Sequence, residues 1–282
     1  MKPLPLGERL HRMFPEASRT SVKHWIEAGR VTVDGSVVRR GDTAVTDRDR
    51  IVLGEPPPPP FPSQMRRIHE DEDILVIEKP HGLLSIATEH ERERTAYRLL
   101  ADWLALQPVL GKYRPRLFIV HRIDRETSGV LLFAKHATAK NALQEQFKVR
   151  RVERVYVAVV EGVVHDAEGT LTGHLRDDAS MRVRPADPRD PRAKEAITRY
   201  RVLEHRADST LLELRLQTGR RGQIRSQLAD AGHPIVGDAA YGSRRNPVRR
   251  VCLHAVRLGF VHPRSGARVS FESPPPPSFR RA

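Results

Sequence analysis

The sequence predicts an α+β fold: a mixed, largely antiparallel sheet with helices and loops around a central cleft, preceded by a small α/β unit. Three observations predict it. After residue 65, apolar runs of strand character alternate with helical patterns, and several strands are separated by hairpin-length spacings. Such spacings favour antiparallel pairing over a doubly wound sheet. Five consecutive prolines at positions 56–60 interrupt the chain; they cannot join a helix or a central strand and read as a stiff spacer. Finally, 49 basic residues against 35 acidic ones give a formal charge of +14 over 282 residues. So large an excess favours a polyanionic partner, of which nucleic acid is the commonest.

Several classes are disfavoured. Cys252 is the single cysteine, so no intramolecular disulfide is possible, which fits a reducing, cytoplasmic compartment. The opening MKPLPLGERL lacks the apolar stretch of a secretory signal, and no apolar run reaches membrane-spanning length. The thirteen histidines are scattered without zinc-ligand spacing, and no GxxxxGK[ST] loop is present. We therefore expect no metal, no cofactor and no membrane, and a monomer.

The elements justify themselves in order. Leu6, Leu10 and Met13 fall on one face of a short helix. Ser18 caps a second, whose Val22, Trp25 and Ile26 share a face and which Gly29 ends. VTVDGSVV is a hairpin signal, with alternating valines around Asp34-Gly35, and a closing strand lies near DRIVL. Arg19, Lys23 and Arg30 lie on or just after the second helix. This unit occupies residues 1–54, the proline-rich linker 55–64 and a larger domain 65–282.

In the larger domain ILVIEK is a strand. TAYRLLADWLALQ sets Ala96, Leu99, Leu100, Trp103 and Leu104 on one helical face, and ATAKNALQEQFKV is a further helix. RVYVAVVEG, ITRYRVLE and STLLELRLQTG read as strands, GQIRSQLADAGHP as a short helix stopped by Gly232 and Pro234, and VRLGFVHP and VSFESP as closing strands. The tail SPPPPSFRRA is expected to be mobile.

One stretch concentrates chemistry. In VHRIDRETSGVLLFAK, residues 120–135, Asp124 sits among His121, Arg122 and Arg125, ahead of a small polar turn and an apolar run. Neighbouring cations favour the ionised carboxylate. Such a group can act as nucleophile, base or electrostatic stabiliser, or be half of a salt bridge. A metal site would need further convergent ligands, and none lie nearby at useful spacing.

HRIDRETSGVLLFAK resembles the signature of the RluA-type pseudouridine synthases, H-R-[LI]-D-x-x-T-S-G followed by an apolar strand and A-K. Other family segments follow in order: DEDILVIEKPHGLL with its K-P-x-G-L turn, FKVRRVERVYVAVVEG, LQTGRRGQIRSQLADAGHPIVGDAAYG, LHAVRLGFVHP and FESPPP. The leading SRTSVKHWIEAGRVTVDG is similar to the RNA-binding domain first recognised in a small-subunit ribosomal protein. That resemblance implies a basic helix placed against structured RNA.

The resemblance implies an isomerase that converts a uridine in structured RNA to pseudouridine, without cofactor. Ribosomal RNA is the first expectation and transfer RNA the second; a non-catalytic RNA chaperone or ribosome-assembly factor is the alternative. Asp124 is the implied catalytic carboxylate, attacking the sugar or removing a sugar proton. Arg225 is expected to pair with Asp124 and aim it, and Tyr156, a further catalytic residue, to stack on the extruded base and then help proton transfer at C5. Arg122 is expected to fill the gap left in the RNA stack, and Leu253 to line the pocket. His121, Thr127, Arg220 and Gln223 complete the implied substrate-binding set, although His121 and His254 also read as structural. Two family histidines are missing: Gly222 and Gln227 stand in their places, and since the resemblance puts both positions beside the pocket, the change bears on substrate choice. Arg221 is a candidate phosphate contact there.

Affinity for RNA is expected to fall about tenfold or more between 50 and 200 mM salt, because each neutralised phosphate releases counterions. Filter binding across that range checks this; a nearly flat salt dependence contradicts the reading of the +14 charge.

Overall fold

In the computed structural model, which describes residues 3–55, 59–107, 116–178 and 182–282, the chain divides into two units, Met1–Pro59 and Pro60–Ala282. Part of the expected linker, residues 56–58, lies outside the described residues.

In the first unit, helices Leu6–Met13 and Arg19–Glu27 pack their apolar faces on a small sheet. Leu6, Leu10, Val22, Ile26, Val31 and Val45 form its core. The expected first-helix stripe is shorter than predicted, since Met13 is exposed. The hydroxyl of Ser18 accepts from the Ser21 N–H and caps the second helix. Asp34 and Gly35 both have positive φ, 50° and 80°, as a two-residue hairpin turn with the right twist requires. Val31–Val33 pairs with Ser36–Val37 on one side and Ile51–Leu53 on the other. A further pair, Leu4–Pro5 with Ala44–Val45, was not legible in the pattern.

The second unit is built on an 11-stranded sheet. Its main path runs Val183–Pro185, Glu168–Asp177, Lys194–His205, Ser209–Leu216, Glu153–Glu161, Leu253–Val261, Ser128–Ala134, Ile74–Lys79, Arg66–Glu70. The predicted strands are all present. The sequence missed Glu168–Asp177, which is polar and largely exposed, so no alternation marks it. The two neighbouring strands Ile74–Lys79 and Ser128–Ala134 are buried on both faces. Ile74, Val76, Val130, Leu132 and Ala134 pack on the side of helix Ala137–Lys148, and Leu75, Ile77, Leu131 and Phe133 on the side of helix Ala96–Ala105. Covering on both faces explains why these strands read as unbroken apolar runs. The tail corrects an expectation: Phe279 is buried in the main core, and Arg206 donates to the carbonyls of Phe279 and Ala282. Among the described residues no helix is long and apolar enough to cross a membrane.

Among the described residues all pairs of strands but one are antiparallel, an isolated parallel bridge of Leu84 with Thr95 aside. The exception joins Leu253–Val261 to Ser128–Ala134, with His254 opposite Ser128 and Ala255 opposite Gly129. There the backbones touch: a Cβ on Gly129 would lie 2.2 Å from the carbonyl oxygen of Ala255, and φ is +115°. Only glycine fits. Below it runs a buried polar chain. Arg250 Nη2 donates to the Ser128 hydroxyl at 2.6 Å, and that hydroxyl meets His254 Nδ1 at 2.7 Å. His254 Nε2 faces the Ser273 carbonyl at 3.1 Å. A carbonyl only accepts, so Nε2 carries the proton and Nδ1 accepts from Ser128. Burial pulls the His254 imidazole down to about 4, keeping it neutral.

Gly129→Ala is expected to cost more than about 4 kcal/mol of stability, the range reserved for severe backbone and packing clashes. Urea denaturation measures it; a loss below 1 kcal/mol would mean the two strands can separate at this point without penalty.

Candidate active site

Asp124 lies in the loop just before strand Ser128–Ala134, and the turn after strand Ile74–Lys79 holds that loop from beneath. Lys79 is fully buried. Its ammonium donates to the carbonyls of Pro80 and Leu83, both at 2.7 Å, and of Arg125 at 3.3 Å. Ser85 donates to the Ile123 carbonyl at 2.6 Å and accepts from the Ile123 N–H. The Gly82 N–H donates to the Arg125 carbonyl, and Arg125 Nε returns a bond to the Gly82 carbonyl. The Thr127 N–H closes the loop on the Asp124 carbonyl. The backbone on both sides of Asp124 is therefore pinned, while its carboxylate accepts no hydrogen bond from the described residues. Burial lowers the Lys79 pKa to about 7, with the charges of Asp124 and Glu126 opposing the fall.

A cavity of about 270 Å³ opens over Asp124. Its lining includes His121, Arg122, Asp124, Thr127, Tyr156, Arg220, Gln223, Arg225 and Leu253, contributed by segments far apart in sequence. Arg19 and Lys23 line a separate cavity in the first unit, with Arg39 and Arg40. Arg30 lies outside that lining; it bonds the Gly54 carbonyl and covers the Trp25 ring.

Tyr156 stands in strand Glu153–Glu161, where the register shifts between Val155 and Tyr156. Such a bulge re-aims a side chain. Burial pushes the phenol up to about 12, partly countered by Arg154 and reinforced by the charge of Asp124. The ring is neutral at physiological pH, a better stacking platform than a base. His121 stacks on Phe147 at 4.8 Å, and its Nε2 accepts from the Leu132 N–H at 3.1 Å. That bond puts the proton on Nδ1. Burial pulls the His121 ring down to about 3.

The expected Arg225–Asp124 pair is not formed. Arg225 instead grips Asp238, Nε to Oδ2 at 2.6 Å and Nη2 to Oδ1 at 2.7 Å, and lies over the Tyr241 ring at 4.8 Å. A two-point fork between a guanidinium and a buried carboxylate outcompetes a single-point contact across an open cavity. Burial works against the Arg225 cation, but Asp238, and after it the charge of Asp124, raise its pKa. Arg225 thus acts on Asp124 through its field, without contact. Asp238 was visible in the G-D-A-A-Y-G segment, yet nothing in the sequence marked it as the partner.

Three other expectations change. All four hydrogen-bonding positions of the Gln223 amide are used internally: the oxygen accepts from Thr218 Oγ1 and the Arg220 N–H, and the nitrogen donates to the Ile197 carbonyl and Thr198 Oγ1. Gln223 therefore shapes the cavity wall instead of binding substrate. Gln227 does not border the cavity; it is buried against the sheet, bonded to Thr198 and to the carbonyls of Leu171 and Ala196. Arg221 pairs with Asp177 at 2.5 Å, outside the cavity lining. Gly222 does line it, in a left-handed conformation at φ +57°, and a Cβ there would lie 2.7 Å from the Tyr241 hydroxyl. At the position where the resemblance led us to expect histidine, the space is taken by Tyr241.

The profile of RNA pseudouridylate synthases matches residues 73–230, more than half of the chain, and spans Asp124, Tyr156 and Arg225. The chain belongs to the RNA pseudouridylate synthase family. Residues 7–51 match the S4 domain. The synthase is 37% identical over 266 residues to the uncharacterized RNA pseudouridine synthase YlyB of Bacillus subtilis, covering 92% of this chain and 86% of that one. It is 34% identical over 294 residues to the ribosomal large subunit pseudouridine synthase D of Escherichia coli O6:H1, covering 96% and 88%. Among solved structures, human RNA pseudouridylate synthase domain containing 4 superposes with a TM-score of 0.61 at 23% identity, over 76% of this chain and 90% of that one. That likeness establishes the shared fold. The synthase is an enzyme of the isomerase class, acting on RNA.

Lys79→Met is expected to leave three loop carbonyls without their shared donor, costing about 3 kcal/mol or more. A thermal melt should show a drop of roughly 6–12 °C for a unit of this size. An unchanged melting temperature would show that the ammonium does not hold the loop.

Proposed function

We propose that this synthase isomerises a specific uridine in ribosomal RNA to pseudouridine, with Asp124 as the catalytic carboxylate. The observation that carries the reading is an uncommitted carboxylate on a pinned backbone, facing a cavity with a neutral aromatic ring and a buried cation. The cavity volume, about 270 Å³, lies near the lower end for small-molecule sites, roughly 300–1,000 Å³, which suits one extruded nucleotide. Extrusion costs a few kcal/mol of stacking, which Tyr156 offsets by stacking on the base and Arg122 by filling the gap it leaves in the RNA.

The bond from N1 of uracil to C1′ then breaks, the base turns, and C5 bonds to C1′. The proton leaves C5 and N1 gains one, so the product is an isomer and the balance needs no oxidant, metal or phosphate donor. Asp124 assists by attacking C1′ or by taking the C2′ proton. Arg225 stabilises the carboxylate through space. The relatives named for the ribosomal large subunit support ribosomal RNA as substrate. The S4 domain brings Arg19, Lys23 and Arg30 to structured RNA, and residues 55–64 serve as a spacer between the modules. The setting is the cytoplasm, and the chain acts as a monomer.

Asp124→Asn is expected to abolish pseudouridine formation while leaving RNA affinity within about twofold, since the change removes charge without removing volume. Pseudouridine mapping of ribosomal RNA from cells carrying either form, with binding measured in parallel, tests both halves. Full modification by the variant would remove Asp124 from the chemistry.

A further inference from the structure

One cation of the cavity has no role so far. Arg154 stands two residues before Tyr156 in strand Glu153–Glu161, and both line the cavity. The other lining arginines are differently placed: Arg225 is committed to Asp238, Arg220 donates to the Glu195 carbonyl, and Arg122 is exposed to solvent. Arg154 forms no ion pair with a carboxylate among the described residues. Its Nε is buried without a hydrogen-bond partner. Its Nη2 has two long contacts, 3.4 Å each, to the carbonyls of Leu216 and Gln217. The Phe147 ring, itself stacked on His121, lies on one side of it at 5.9 Å. Gly219 lies on another: a Cβ there would come within 2.2 Å of Arg154 Nη1.

A desolvated cation with an unmet donor is costly in the free protein and is relieved when an anion arrives. Burial and the nearby Arg150 both work against its charge. A neutral acceptor such as a uracil carbonyl would use the donor but leave the charge unbalanced. A phosphodiester supplies both a full negative charge and oxygens matched to the guanidinium fork. Each nucleotide that enters a cavity also draws its own flanking phosphates to the rim.

We propose that Arg154 binds a backbone phosphate flanking the uridine in the cavity, and that Gly219 lacks a side chain so that guanidinium and phosphate can meet. This rests on the reading of the cavity as a uridine site, and it adds a substrate-anchoring residue that the sequence did not single out. The sequence signal is the R-x-Y spacing, which starts both side chains on one face of a strand.

The test is the salt dependence of binding to ribosomal RNA from cells lacking the protein, measured for the full chain and for Arg154→Gln. Loss of one phosphate contact makes the slope of log affinity against log salt shallower by about 0.7–0.9. Affinity at physiological salt should weaken roughly ten- to a hundredfold. Arg154→Lys keeps the charge and should recover the wild-type slope. An unchanged slope in Arg154→Gln overturns the proposal, as does a fall in kcat with KM and slope intact, which would assign Arg154 to the base or to the fold. If Arg154→Gln does not fold, Gly219→Ala decides: it keeps Arg154 but crowds its guanidinium, and an unchanged slope there overturns the proposal equally. Pseudouridine formed in the same RNA by the wild-type chain is scored separately. A shallower slope without any pseudouridine would sink the uridine reading but not the anion site, and pseudouridine with an unaltered slope the reverse.

Discussion

The parallel pairing in the large sheet sets the geometry of everything above it. Strand Leu253–Val261 meets Ser128–Ala134 through backbone alone at Gly129 and Ala255. Because no side chain intervenes, the loop that ends at Ser128 starts from a fixed point. Asp124 is four residues upstream of that point, and Leu253 is at the start of the facing strand. Tyr156 comes from the next strand over, opposite Ala255. Three cavity walls are thus indexed to a single close contact. Side-chain packing could slide by an ångström under mutation, whereas a glycine against a carbonyl cannot.

Around this contact several buried polar groups spend their hydrogen bonds within the protein. The Arg250–Ser128–His254–Ser273 chain and the Lys79 ammonium with its three carbonyls spend their hydrogen bonds on the backbone of the site. Gln223 does the same for the opposite wall. Satisfied networks of this kind specify one arrangement, while a half-satisfied one destabilises. Against that background the uncommitted groups stand out. The Asp124 carboxylate accepts no hydrogen bond from the described residues, the Arg154 Nε has no partner, and Arg225 is locked on Asp238.

Much of this was legible in the sequence. Amphipathic spacing located the helices, unbroken apolar runs located the doubly covered strands, and Asp34-Gly35 located the hairpin. The RIDRETSG and QIR segments and the strand carrying Tyr156 converge on one cavity, as the resemblance implied. The failures have physical causes. Strand Glu168–Asp177 is largely exposed and buries little beyond Leu171 and Leu175 on one face, too few apolar positions to mark an alternation. Arg225 was assigned the wrong acid because sequence shows which charges exist but not which pair offers two-point geometry. The tail, rich in proline, looked mobile, yet Phe279 and Ala282 dock it on the main core. Gln227 looked like a pocket residue by its place in the motif, but on a short helix two positions further on is a different face.

Lys79 also carries a consequence for chemical labelling. Its amine is fully enclosed, and it can meet a reagent only when its three carbonyl partners let go. One of those partners, Arg125, adjoins Asp124, so the opening that exposes the amine also frees the loop backbone. Amine modification of Lys79, read by mass spectrometry against the exposed lysines as an internal standard, is therefore a clock for local opening of the site. Bound RNA that clamps the loop should slow that clock, whether or not any bond in the RNA is being remade.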